Sequence, residues 1–179
     1  MMTSLYRRPL ILAVVCLASL LFGSGCGDLG SFTFTETSQE VTVQGSGLSQ
    51  LPVDNPFGEA LRLNIDLDQE LEKQDAEGAE AVYLEGLDLR ITEDSDGRDF
   101  DFLDQLTFYA NADGLDKRQV AIIEDVPSGQ SRISLDTDDG VNLKPYIEEG
   151  MRLEAEAEGS VPDDDTTLEA IAAIRVKVL

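Results

Sequence analysis

The 179-residue chain contains no histidine and no tryptophan, and its only cysteines are Cys16 and Cys26. Histidine is the usual general base near neutral pH and the commonest metal ligand. Its absence excludes Ser-His-Asp and Cys-His nucleophile systems together with His-ligated zinc. Positive charge is also scarce, with 13 Lys and Arg against 36 Asp and Glu and a formal net charge of −23. Binding a phosphate backbone requires clustered cations that release counterions, so nucleic acid is excluded as a partner. Aromatic residues make up 6% of the chain, and the Trp platforms common in sugar-binding clefts are missing.

Apolar residues account for 42% and charged residues for 27%, a balance that lets a chain bury a core and fold. An excess of acid on such a body is first of all a solvated, self-repelling surface that keeps it soluble, adaptation to high salt being one form of this. A functional reading, in which the acids gather cations or a basic partner, requires carboxylates at ligand spacing.

Residues 1–9 include Arg7 and Arg8 and no acid, and residues 10–22 form an uninterrupted apolar run. This is the layout of an export signal. The run holds 13 residues, whereas a helix needs about 20 to cross a hydrocarbon core, which disfavours a permanent transmembrane anchor. Gly23-Ser24-Gly25-Cys26-Gly27 follows. This stretch resembles the lipobox of bacterial lipoproteins, in which small residues precede the lipid-accepting cysteine; Ser24 and Gly25 fit, and Gly23 stands where leucine is usual.

The resemblance implies removal of residues 1–25, a diacylglyceryl thioether on Cys26 and an acylated amino terminus. With Gly27 rather than Asp after the cysteine, it also implies delivery to the outer membrane of a bacterial envelope. Ordinary cleavage at the same small residues, releasing a soluble protein with a free thiol, is the alternative. In the lipidated form the mature chain keeps neither a free thiol nor a disulfide, and residues 26–31 are the cysteine and a short tether.

Over residues 32–179 period-two alternation dominates, the mark of half-buried strands. Candidate strands carry Phe32 and Phe34; Val41 and Val43; Leu61, Leu63, Ile65 and Leu67; Leu106, Phe108 and Ala110; Val120 to Ile123; Ile133 and Leu135; Met151 to Ala157; and Leu168 to Val178 on one phase. Val82 and Leu84 are out of phase with Leu87, Leu89 and Ile91, and a β-bulge at Gly86 would restore one buried face. Turn signals separate these segments, and the pattern predicts an all-β antiparallel sandwich, immunoglobulin-like or similar, of about seven to nine strands. Two short helical turns fit within it: one inside a long acidic loop over 68–81, the other over 141–147 with Pro145 near its start. Residues 99–109 and 141–147 resemble uncharacterised β-sandwich lipoproteins of Bacteroidetes-like bacteria, a likeness that implies a sandwich and no known activity.

An EF-hand loop needs oxygen ligands at positions 1, 3, 5 and 12 and glycine at 6. Gly97 as position 6 places Asp96 and Asp94 correctly but Thr92 and Leu103 at the two ends; Gly140 and Gly114 put Leu135 and Tyr109 first. All three fail as EF-hands. Asp94, Asp96, Asp99 and Asp101 remain weak candidates for calcium in a different loop, against the ordinary role of acidic Gly turns as hairpin connections. A carboxylate pair is the one catalytic device left, and no pair stands out, so the expectation is a non-enzyme with no metal or cofactor beyond the covalent lipid. Phe100, Phe102, Phe108 and Tyr109 crowd together and could form a binding surface; against that, Phe108 in a strand is read as core and Phe100 and Phe102 as the plug of one end of the sandwich. The resulting expectation is an accessory or interaction module on the bilayer, with an envelope protein as its partner; the alternative is a calcium- or carbohydrate-binding surface lipoprotein.

Overall fold

Alternating sequence becomes hydrogen-bonded ladder in half of the described residues. A computed structural model describes residues 30–45, 63, 65–95 and 98–179, the side chain of Asp94 excepted. The leader, Cys26 and residues 27–29 therefore lie outside the described residues, as do Leu61, Arg62, Asn64 and Asp96.

The strands are β1 (Ser31–Thr37), β2 (Val41–Val43), β3 (Ala79–Ile91), β4 (Leu103–Asn111), β5 (Arg118–Ile123), β6 (Arg132–Thr137), β7 (Arg152–Gly159) and β8 (Thr166–Val178). Among the described residues two short α-helices, α1 (Leu67–Lys73) and α2 (Lys144–Glu148), and one 3-10 turn (Glu93–Ser95) join them. Every pairing is antiparallel, giving the all-β sandwich-like fold that the alternation predicts.

One sheet runs β1-β8-β3-β6, with β2 continuing β1 along the same strand, and the other runs β5-β4-β7. Strand β6 links them: Arg132 to Leu135 pair with β3, while Asp136 and Thr137 pair with β5. A strand that leaves one sheet for the other is how a sandwich turns a corner. Between β1 and β2 the ladder is patched by Ser38, whose N–H donates to the Ala170 carbonyl at 2.8 Å while its Oγ accepts from the Ala170 N–H at 2.9 Å.

The bulge in β3 falls where the phase change requires it. Leu84 pairs with Ile174 and Gly86 with Ala173, so Glu85 is the extra residue. Val82, Leu84, Leu87 and Leu89 are consequently all buried. Glycine is not what permits the bulge, since a Cβ on Gly86 would meet only the Ala173 methyl, at 3.6 Å. The extra residue turns outward, and its carboxylate accepts from Thr33 Oγ1 at 3.0 Å and Arg175 Nε at 2.6 Å. A second bulge, between Leu103 and Gln105, abuts Gly159, where φ is +147° and a Cβ would lie 2.3 Å from the Phe102 carbonyl oxygen. Only glycine fits there.

The strand expected over residues 61–67 is corrected. Leu63, Ile65 and Asp66 lie outside any strand, and Leu67 opens α1. Asp66 caps that helix, its side chain accepting from the Gln69 N–H at 3.0 Å, with Asp68 and Glu70 in the first turn and Lys73 in the last. A cap with acids behind it outweighs three residues of alternation. The apolar residues are still used as the alternation implies, for Leu63 is buried and Ile65 and Leu67 pack on the core. The acidic loop expected over 68–81 is likewise shorter, because β3 begins at Ala79.

The second helix matches its expectation, with Pro145 in the first turn. Asn142 explains why it sits where it does. Its Oδ1 accepts from the Val82 N–H at 3.0 Å and the Lys144 N–H at 3.1 Å, and the Leu143 N–H donates to the Val82 carbonyl at 2.7 Å. Tyr146 completes the anchor by donating to the Asp116 carbonyl at 2.7 Å. Residues 141–147 are thus a strap holding α2 across the start of β3.

Candidate loop-end site

Strand direction sorts the loops into two groups. The β3–β4, β5–β6 and β7–β8 connections gather at the end where Ile91 and Thr166 lie; the helices and the β4–β5 turn gather at the end of Ala79 and Val178. The first end carries the acids singled out in the sequence. There a cleft of about 290 Å³ is lined by Arg98, Asp99, Asp101, Ser160, Asp164 and Thr166, among others. It is at the small end of the range of ligand pockets.

Three carboxylates in it, those of Asp99, Asp101 and Asp164, hold the loops together. Asp99 Oδ1 accepts from the Asp101 N–H at 3.1 Å, and Asp101 Oδ1 accepts from the Gly129 N–H at 2.6 Å. The Phe100 N–H donates to the Gln130 carbonyl at 2.9 Å, clamping the β3–β4 loop to the β5–β6 turn. Arg98 reaches across to Asp164 at 2.9 Å. Of the four candidate calcium ligands, Asp99 and Asp101 therefore come together on this loop, whereas Asp96 and the Asp94 side chain lie outside the described residues. No group of three or more metal-ligating side chains is present among the described residues.

Replacing Asp101 with Ala removes an acceptor from the Gly129 N–H and is expected to cost about 0.5–1.5 kcal/mol, the net scale of a hydrogen bond in water-exposed surroundings. Chemical denaturation reads the cost. A variant as stable as the parent would mean that the bond does not hold the loop.

The three phenylalanines of the aromatic cluster are core. Phe100 and Phe108 are completely buried and Phe102 nearly so, with Phe100 and Phe102 packed ring to ring at 6.1 Å. Tyr109 points the other way and belongs to a network that its sequence neighbours do not reveal. On the outer face of the β5-β4-β7 sheet, Lys117 lies 4.3 Å over the Tyr109 ring and binds Glu156 at 2.6 Å and Glu154 at 3.2 Å. Asn111 donates to Glu154 at 2.6 Å.

The protonation equilibria follow from those contacts. Hydrogen bonding to Glu156 raises the Lys117 pKa against the opposing effect of burial. The hydrogen bond from Asn111, then Lys117, lowers Glu154, and Lys117 lowers Glu156. Burial, then the Glu156 charge, raises Tyr109. Asp88, on the other sheet, is lowered because its bonds to Ser134 and Arg132 outweigh burial.

Depressed carboxylates add stability above their unfolded pKa that disappears as pH falls through the folded value. A raised lysine adds stability that disappears as pH rises through its folded value. A double-mutant cycle of Lys117→Met and Glu156→Gln should therefore show a coupling of no more than about 1 kcal/mol at neutral pH, given the exposure of both groups. It should vanish below the carboxylate range. Coupling that persists when both glutamates are protonated would contradict the ion-pair account.

Most other cations are similarly matched. Arg90 pairs with Glu169, Arg132 with Asp88 at 2.5 Å, Arg175 with Glu85 at 2.6 Å and Lys177 with Glu80 at 2.9 Å. These rows cover the outer face of the β1-β8-β3-β6 sheet. No protein-family model matches the chain, no curated protein matches it, and no solved structure matches it.

Proposed function

We propose that the protein is a lipid-anchored lipoprotein of a bacterial cell envelope, exported on residues 1–25 and held at the outer membrane through lipid on Cys26. The acidic sandwich-like domain serves there as a non-catalytic interaction or structural module. The observation that carries this reading is the order of segments. A basic start, a 13-residue apolar run and Ser24-Gly25-Cys26 lead within five residues to Ser31, where β1 begins.

The short spacing supports an anchor rather than a spacer, because residues 27–31 extend about 15–20 Å at most. No helix among the described residues is long and apolar enough to cross a membrane. Asp99, Asp101 and Asp164 at the loop end bind backbone N–H groups and Arg98, which favours a structural or protein-binding role for that surface over chemistry.

The test is detergent-phase partitioning of the natively expressed protein combined with its intact mass. The expected result is a chain starting at Cys26, heavier by a diacylglyceryl group and an acyl chain, in the detergent phase. A chain with another first residue, or with an unmodified thiol in the aqueous phase, overturns the reading.

A further inference from the structure

We infer that the helix end of the domain faces the lipid bilayer to which Cys26 ties it, and that the loop end with the cleft stands outward. This rests on the lipid anchor at Cys26. The topology fixes where the tether enters: Ser31 pairs with Lys177, the Val178 N–H donates to the Gly30 carbonyl at 2.6 Å, and the Leu179 N–H donates to the Gly78 carbonyl at 3.1 Å. The start of β1, the start of β3 and the end of β8 therefore meet at one point, beside α1 and α2.

The four residue steps from Cys26 to Gly30 can span at most about 14 Å when fully extended. Strand β3, 13 residues long, separates that point from the opposite loops by about 40 Å at 3.3 Å per residue. The tether is thus too short for the loop end to approach the bilayer unless the whole domain lies on its side.

Charge opposes lying down. The mature body is more negative than the full chain's −23, since the leader removes two arginines and no acid. One flank, β7, presents Glu154, Glu156 and Glu158, and the faces are rows of ion pairs whose hydration a headgroup layer would strip. A negatively charged body fixed at one end to a negative surface is turned upright, because that carries the flanks and the loop-end acids beyond the screening length of about 8–10 Å, while Asp66, Asp68 and Glu70 beside the tether stay near the surface in either pose.

Cys26 is the only cysteine of the mature chain, so one introduced thiol can be labelled without interference. Lipidated protein carrying Leu179→Cys or Ser128→Cys, each bearing an environment-sensitive fluorophore, is reconstituted in phosphatidylethanolamine–phosphatidylglycerol vesicles containing a headgroup nitroxide quencher. Flotation with the vesicles confirms the anchor independently; protein that fails to float refutes the anchor on which the orientation depends. Among floated samples, quenching several-fold stronger at position 179 than at 128 is expected. Equal quenching at the two positions, or stronger quenching at 128, overturns the orientation while leaving the anchor standing.

Discussion

Serine in place of Cys26 is expected to move the protein almost completely from the membrane fraction to the soluble envelope fraction. Each buried methylene of an acyl chain contributes about 0.8 kcal/mol, so several chains together hold the protein by tens of kcal/mol. Nothing in the described domain replaces that. Its largest exposed apolar side chain is Leu179, and a full leucine contributes about 1.5–3 kcal/mol even when wholly buried. Electrostatics works in the opposite direction, since a chain of net charge −23 is repelled by anionic headgroups. Fractionation followed by a high-salt wash and immunoblotting reads the outcome. Intact mass shows at the same time whether residues 1–25 were removed, so that retention by an uncleaved apolar run is told apart from retention by the folded part. A cleaved Cys26→Ser protein that remains on the membrane would show that a protein partner, not lipid, holds it.

The strands were legible wherever one face is buried, because alternation is then a direct image of the pleat. Leu168, Ala170, Ala172, Ile174 and Val176 share one phase in the sequence and one buried face in β8. The phase break in β3 even located its bulge to within one residue. Alternation misled at residues 63–67, where burial without a ladder has the same sequence pattern as burial with one. The deciding information was the capping distance between Asp66 and Gln69. The acids at the loop end were visible as a cluster, but their use was not, because whether a carboxylate accepts from Gly129 depends on how two distant loops meet. For the same reason the Lys117 network was hidden. It is assembled by the register of β4 against β7, which sets Tyr109 opposite Glu154 and Thr107 opposite Glu156, and nothing in either strand alone specifies that register.

Phe108→Ala is expected to cost about 3–5 kcal/mol, the range for deleting a buried phenylalanine ring. Its neighbours place it at the upper part of that range. Phe108 is fully buried and is paired across β4 with Ala121 on β5 and Ala155 on β7, both of them buried too. One large ring between two methyls fills a layer that its flanking residues cannot reach, so truncation leaves three alanines abreast and a void that relaxation closes poorly. Phe108→Leu keeps most of the volume and should cost markedly less, while Tyr109→Phe, on the outer face of the same strand, should leave the core intact. A domain of this size is stable by only about 5–15 kcal/mol, so the alanine variant loses a large fraction of its margin. Urea titrations with an unchanged slope would attribute the lower midpoint to the native core rather than to a more expanded unfolded chain. If Phe108→Ala were no more destabilising than Tyr109→Phe, the ring would not be a packing element, and the aromatic cluster would have to be considered again as a surface for a partner.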